Sequence, residues 1–407
     1  MTRSTQLLLA LLATAAFFGT ACLASSYVDT ILSRVIQTVP STQTAPYEPA
    51  GPSSVPSPIA PAVSTFTPTA TASATPSPTP SPTPTPAFRP VEPAVELTGV
   101  VHAWQTWNNC GPATLSMYLS YCGLDLTQTD IAAVLRPNPD DKNVSPEELA
   151  NFARAQGLQA LVGYDGTAEQ LRLLLSNGIP VIIETWHEPE PGDGMGHYRL
   201  LVGYNDAARH WIVYDSYDTV NLRGADPYLG LATPYDEVES LWPAFNRVYV
   251  VVYDPALEPV VRGIVGPEVG TPAMWEAALA HAEAEVAARP DDVFAWFNLG
   301  SSLTHLGRMA EATEAYRQAE AIGWPKRMLW YQFEPYQAFY EQGEHDTVIR
   351  FSDQVMALTD QIEEVWYWRG RALAGRGEAD AARAAFERAL ALNPGYRPAL
   401  MALEEVG

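Results

Sequence analysis

Trp104-Gln-Thr-Trp-Asn-Asn-Cys-Gly-Pro-Ala-Thr-Leu-Ser-Met117 is the stretch from which the fold and the chemistry are read. After Gly111 and Pro112, apolar residues recur at three- and four-residue intervals as Leu115, Tyr118, Leu119 and Cys122, which predicts a helix over 113–123. Cys110 then sits at the mouth of that helix. A thiolate there faces unpaired backbone N–H groups and the positive end of the helix dipole, so its pKa falls and the nucleophilic form is populated near neutral pH. Gln105, five residues ahead, can aim its amide N–H at a carbonyl oxygen under attack, beside the backbone N–H of Cys110.

A nucleophilic thiolate needs a base. His197 opens the apolar stretch 197–204, just after the glycine-rich 192–196, and 211–215 forms a second strand across the turn-rich Asn205-Asp206. An antiparallel hairpin centred near Asp206 places residue 197 almost opposite Asp215, where a carboxylate can hold the imidazole in one tautomer. A register shifted by one residue brings Ser216 opposite instead, and Asp218 is then the alternative orienting acid. Further strands are expected over 179–184 and 248–253, and Ser145-Pro-Glu-Glu opens a second helix with Ser145 as N-cap.

At these residues the chain resembles the C39-like branch of the papain-like cysteine peptidases. The shared pattern is a Gln, then Asn-Cys-Gly-Pro-Ala at 109–113, then Gly-His-Tyr with Val-Gly-Tyr at 196–204, then Asp215 on the next strand. The resemblance covers roughly 96–253. It implies an α+β fold of helices and antiparallel sheet, a catalytic triad of Cys110, His197 and Asp215, and Gln105 as oxyanion donor. It also implies a peptide or protein substrate. The sequence departs from the pattern at Arg199, where an apolar residue is common, and in a Gln-to-Cys spacing of five rather than six. Two other readings use the same residues: a non-catalytic surface adaptor, and a cell-wall amide hydrolase with the same nucleophile.

Cys122 lies about 18 Å from Cys110 along a helix rising 1.5 Å per residue, too far to bridge it, and reads as a core residue. His187, Glu188, Glu190 and Asp193 lack the paired spacing that zinc requires and read as a solvated rim. No glycine-rich phosphate loop is present, so neither a metal nor a nucleotide cofactor is expected.

Outward from this segment the chain changes character. Residues 1–24 carry Arg3 and an apolar run ending Gly-Thr-Ala-Cys22, the pattern of an export signal; lipidation at Cys22, an uncleaved membrane anchor and simple secretion are the three outcomes. All three put the protein outside the cytoplasm, and the first two tether it to the outer face of the membrane. Residues 25–93 hold 16 of the 35 prolines and form no core. Such a segment is expected to be a disordered, extended linker with a reach on the order of 100–150 Å. Up to Glu92, Arg3, Arg34 and Arg89 balance Asp29, Glu48 and Glu92, so the net charge of −23 belongs to the remainder. A nucleic-acid partner is excluded on this ground, because phosphate neutralisation needs clustered Lys and Arg.

After 94–256, the peptidase-like region, residues 270–407 read as helices alone. Trp296 recurs as Trp366, Gly300 as Gly370, Gly307 as Gly377, Tyr316 as Phe386 and Ala319 as Ala389, each at an offset of 70. Half of this is close to the 34-residue tetratricopeptide period. Residues 292–325 and 363–394 resemble tetratricopeptide (TPR) units, and the unit between them is degenerate, with Pro335 where the small packing residue belongs. The aromatics Trp296, Trp330, Tyr331, Trp366 and Trp368 are expected to pack within the repeats. Stacked helix pairs leave a concave groove suited to a protein partner.

Overall fold

The structure is a computed structural model that describes residues 88–189, 192 and 194–406. The expected export segment 1–24 and most of the linker, 25–87, lie outside the described residues, as do Glu190 and Asp193. Seven strands form one antiparallel sheet: β1 (Ala94–Glu96), β2 (Gln159–Gly163), β3 (Val181–His187), β4 (Met195–Asn205), β5 (His210–Tyr214), β6 (Leu231–Pro234) and β7 (Tyr249–Tyr253). The order is β2-β7-β3-β4-β5-β6, with β1 added on β4. The helices of this half are α1 (Cys110–Tyr121), α2 (Gln128–Leu135), α3 (Pro146–Ala155), α4 (Ala168–Ser176), α5 (Tyr235–Leu241) and α6 (Glu258–Val265).

The sheet is covered on both faces, which is why its central strands are apolar without a break rather than alternating. Ile182, Leu200 and Val250 pack with Leu115, Leu119 and Phe152 of α1 and α3. Their neighbours Ile183, Leu201 and Val251 pack on the other face with Leu171 and Leu175 of α4 and Val261 of α6. Ser145 caps α3 in a full capping box with Glu148, as the sequence predicts. Strands and helices interleave, and β1 and β6, of 3 and 4 residues, are too short to stand out in the sequence. Pro234 ends β6, an edge strand where no ladder N–H is needed from it.

The second half is all helical: α7 (Pro272–Ala288), α8 (Val293–His305), α9 (Met309–Ile322), α10 (Glu334–Glu341), α11 (His345–Met356), α12 (Glu363–Gly375), α13 (Ala379–Leu392) and α14 (Arg397–Glu405). The 70-residue offset has a direct physical basis. A Cβ on Gly300 would lie 2.5 Å from the Tyr316 ring, and one on Gly370 would lie 2.4 Å from the Phe386 ring, so each helix pair is closed by an aromatic lying on a glycine. In the middle unit Pro335 takes that place, and it sits at the start of α10 because a proline ring disfavours helix in the residue before it. What would have been the first turn of this unit is instead a separate 3-10 turn, Lys326–Trp330.

The halves share one core. Trp186, Ala244, Phe245 and Val248 of the sheet domain are buried in the same cluster as Phe297, Leu329, Trp330 and Phe339 of the repeats. Polar bonds cross the same boundary: Asn298 Nδ2 donates to Pro243 O at 2.7 Å, Gln332 Nε2 to Ala244 O at 3.2 Å, and the buried Arg247 pairs with Glu285 at 2.7 Å.

Candidate active site

Cys110 is the first residue of α1, held by a tightly bonded turn before it. Asn108 adopts a left-handed conformation, φ 55°, and Asn109 is the N-cap. The buried Asn109 amide donates to Thr106 Oγ1 and to Gln128 Oε1, both at 3.0 Å. Its carbonyl oxygen accepts from Arg136 at 2.6 Å, and the same guanidinium nitrogen bonds Asn108 O at 2.6 Å. Arg136, at the C-terminal end of α2 and itself buried, therefore clamps the nucleophile turn from behind.

His197 lies on β4 and Asp215 just beyond β5. His197 Nε2 donates to Asp215 Oδ1 at 2.9 Å, which leaves Nδ1 for the Cys110 thiol, with which the imidazole shares a hydrogen bond. The cross-strand geometry differs from the sequence expectation. Asn205 pairs with His210 and a bulge falls between Leu201 and Gly203, after which Leu200 pairs with Tyr214. Continued, that register sets Asp215 opposite Arg199, so its carboxylate reaches His197 on the diagonal and not directly across. The chain turns there, and the N–H groups of Tyr217 and Asp218 both donate to Asp215 Oδ1 at 2.8 Å. Asp218 does not face the imidazole; its carboxylate bonds the Thr219 and Val220 N–H groups and lies 3.5 Å from Arg199.

Arg199 is 2% exposed, and its Nε makes an ion pair with Asp215 Oδ2 at 3.2 Å without hydrogen-bond alignment. The departure noted in the sequence is thus a buried countercharge. His102 Nε2 donates to the Asp215 carbonyl at 2.7 Å while its ring stacks on Tyr228, centroids 3.5 Å apart.

The electrostatics follow from this chain of contacts. Burial raises the Cys110 thiol, but the hydrogen bond and charge of His197 and the N–H groups of Tyr198 and Gly111 outweigh it, leaving the thiol below its ordinary value. Burial lowers His197, yet the Asp215 carboxylate and the Cys110 thiolate carry it up to about 9. Asp215 is raised by burial but lowered far more by His197 and Arg199, so it stays ionised. Cys122 is the contrast: burial, and then the Asp254 charge, push it up to about 11. Gln105 accepts from Ser216 Oγ at 2.8 Å through its amide oxygen, and its backbone N–H donates to Ser216 O at 2.8 Å, so the side-chain NH₂ is the end left to the cleft.

Gln105, Cys110 and His197 open on one cleft of about 550 Å³. Its other walls include Trp107, Lys142, His187, Tyr217, Arg327, Trp330 and Tyr331. Three of these add to the sequence reading. His187 belongs to the wall rather than to a solvated rim: it is half-buried, its ring lies 5.5 Å from that of His197, and burial followed by the His197 and Arg199 charges lowers its pKa. Trp330 and Tyr331 pack in the repeats and also line the cleft, while Trp296 and Trp366 donate to Pro290 O and Asp360 O, just ahead of their own helices. Trp107, 74% exposed, and Tyr217, 55% exposed, stand at the rim. No periodic signal marked Arg136, His102 or Trp330, and the repeat period marked Tyr331 only as a packing residue, because each meets the site through contacts with residues distant in the chain.

Residues 97–250 match the model of the Peptidase_C39 like family. The chain carries a C39-like peptidase domain. Residues 275–326 and 363–396 match tetratricopeptide repeat models, so the repeat reading also stands. Solved structures similar to parts of the chain include a Bacillus anthracis protein described as a C39-like peptidase, at 16% identity, covering 40% of this chain and 98% of that one, TM-score 0.33. MamA from Desulfovibrio magneticus is 17% identical over 34% of this chain and 75% of its own, TM-score 0.30. YrrB, a TPR protein with an unusual peptide-binding site, is 16% identical over 33% and 68%, TM-score 0.29. No curated protein matches the chain.

Proposed function

We propose that the C39-like domain hydrolyses peptide bonds outside the cytoplasm, with Cys110 as nucleophile, and that the repeats bind the protein substrate or a partner. The observation that carries this reading is the unbroken thiol, imidazole and carboxylate series from Cys110 through His197 to Asp215 at the edge of one cleft. The Cys110 thiolate attacks the scissile carbonyl carbon. The oxyanion is met by the Gln105 NH₂ and the Cys110 N–H. His197, holding the thiol proton, gives it to the leaving amine; it then takes a proton from the water that releases the acyl group from sulfur. Asp215 orients the ring throughout. The extracytoplasmic location rests on the residues of 1–24, and tethering through Cys22 or an uncleaved anchor is part of the same proposal.

A fluorescent peptide-library digest tests the reading, with wild type cleaving and Cys110→Ala inert. Turnover of unfolded casein but not of purified peptidoglycan separates a peptidase from a cell-wall amidase. Equal activity in wild type and Cys110→Ala would refute it, and slow labelling of Cys110 by iodoacetamide at pH 6 together with no turnover would favour an adaptor.

A further inference from the structure

The exposed apolar side chains of the sheet domain are not scattered. Among the described residues of 94–256 the large ones are Val101, Trp104, Trp107, Tyr217, Val220 and Leu229, and all six stand on two loops: 97–109, which leads into Cys110, and 215–230, which begins at Asp215. Trp104 is 48% exposed and Val220 61%. The two loops are joined. The Gln105 N–H donates to Ser216 O and Ser216 Oγ to Gln105 Oε1, both at 2.8 Å, so Trp104 and Tyr217 come from adjoining positions. The backbones that carry these side chains are also pinned. Gln128 of α2 bonds the Trp104 carbonyl at 2.7 Å and the Thr106 N–H at 2.8 Å, while the Asp215 and Asp218 carboxylates accept from the Tyr217 and Val220 N–H groups at 2.8 and 2.9 Å. The Trp104 ring stands on edge to His102, centroids 4.5 Å apart, and His102 itself bonds the Asp215 carbonyl.

Apolar side chains gathered in one exposed patch mark a surface that another molecule covers, and rings held on a fixed backbone bind with little further ordering. What covers this one follows from its position. Trp107 and Tyr217 line the cleft of Cys110 as well, so patch and cleft are one continuous surface. A second copy of the chain seated there would close the cleft, and a net charge of −23 repels an anionic lipid surface. Substrate is the occupant that uses both parts of the surface. Tyr217 fixes the side: its ring lies 6.3 Å from that of His197, the group that hands a proton to the leaving amine. We propose that loops 97–109 and 215–230 form an apolar shelf for the part of the substrate that follows the scissile bond, so that the enzyme selects unfolded polypeptide with large aliphatic or aromatic side chains in the first few residues after the cut. This deepens the peptidase reading and rests on it. Tyr217 takes the side chain nearest the cut, and Trp104 and Val220 take those beyond it.

The test uses the full chain with Trp104→Ser and Val220→Ser, the second of which removes an exposed side chain with no ring contact to disturb. In a peptide-library digest read by mass spectrometry, wild type cuts with Leu, Ile, Phe, Tyr or Trp enriched in the first three positions after the bond, and the variants lose that enrichment. In a Cys110→Ala background each variant raises the Kd for unfolded casein, read by fluorescence anisotropy, by about 5- to 30-fold. The rate of Cys110 alkylation by iodoacetamide stays at the wild-type value, which a merely structural role for these residues would lower. No apolar enrichment together with unchanged Kd in both variants overturns the inference and leaves the peptidase reading standing. A wild type that cuts nothing removes the peptidase reading; a raised Kd in the variants then still upholds the shelf as a peptide site, and an unchanged Kd overturns it too. Sedimentation of wild type as a dimer that the variants dissolve, or flotation with phosphatidylcholine vesicles that the variants abolish, assigns the loops to a second copy or a lipid surface and overturns the inference.

Discussion

Two cysteines on one helix behave oppositely because of where their neighbours lie. Cys110 has an imidazole and backbone donors around its sulfur, and Cys122 has apolar core and a nearby acid. Iodoacetamide at pH 6 is therefore expected to label Cys110 and spare Cys122, and His197→Ala slows that labelling more than tenfold, read by mass spectrometry of the labelled peptides. Because the base is held up to about 9, turnover persists through neutral pH and is lost as pH rises past about 9, where the imidazolium loses the proton it must deliver. Arg199 is a third case. It stands against Asp215, Asp218 and Glu237 in a buried position, so Arg199→Met leaves Asp215 without its second countercharge. Removing one partner of a buried pair costs about 3–5 kcal/mol, and urea denaturation measures it.

Elements set the positions that residues exploit. The bulge between Leu201 and Gly203 shifts the β4–β5 register, and the turn after β5 lets Asp215 collect two backbone N–H groups while reaching His197 diagonally. Arg136 ties the end of α2 to the start of α1. Arg136→Met removes donors from buried acceptors in the nucleophile turn, which costs about 1–3 kcal/mol and lowers kcat, since Cys110 follows that turn directly. In the repeats, Gly370 admits the Phe386 ring where a methyl group would overlap it. Gly370→Ala forces the α12–α13 pair apart and is expected to lower stability by about 1–3 kcal/mol, the usual cost of overpacking, as a fall in the helical transition seen by circular dichroism.

At the scale of the molecule the shared core makes the two halves one cooperative body, and the boundary between them carries carboxylates. Asp141 and Glu148 of the sheet domain face Glu363 and Glu364 at the start of α12, with Arg136 as the nearby cation. Burial, and then the neighbouring Glu363 charge, raise Glu148 to about 7 despite its bonds to Ser145. An ordinary unfolded Glu titrates near about 4.3. Between these values the folded chain binds more protons than the unfolded one, so stability is highest below the unfolded value and falls as pH rises through about 7. Glu148→Gln keeps the capping box and flattens that slope, which urea midpoints measured from pH 5 to pH 8 check directly.

What the sequence determined by itself was local. A cysteine before Gly-Pro-Ala, a histidine opening an apolar strand and an acid ending the next are set by helix and strand periodicity, and the 70-residue echo of glycines and aromatics follows from stacking one helix pair on the next. The structure brings Cys110, His197 and Asp215 together and keeps Gln105 at the same cleft. Only the tertiary structure decided the rest. The bulge that sets the true register leaves no compositional trace, Arg199 reads as an oddity until three acids surround it, and Arg136 earns its place through partners nearly thirty residues away. Trp330 and Tyr331 are ordinary aromatics in their own repeat. They become cleft residues because a proline nearby delays the start of the helix they would have joined and docking of the two halves buries what is left beside the nucleophile.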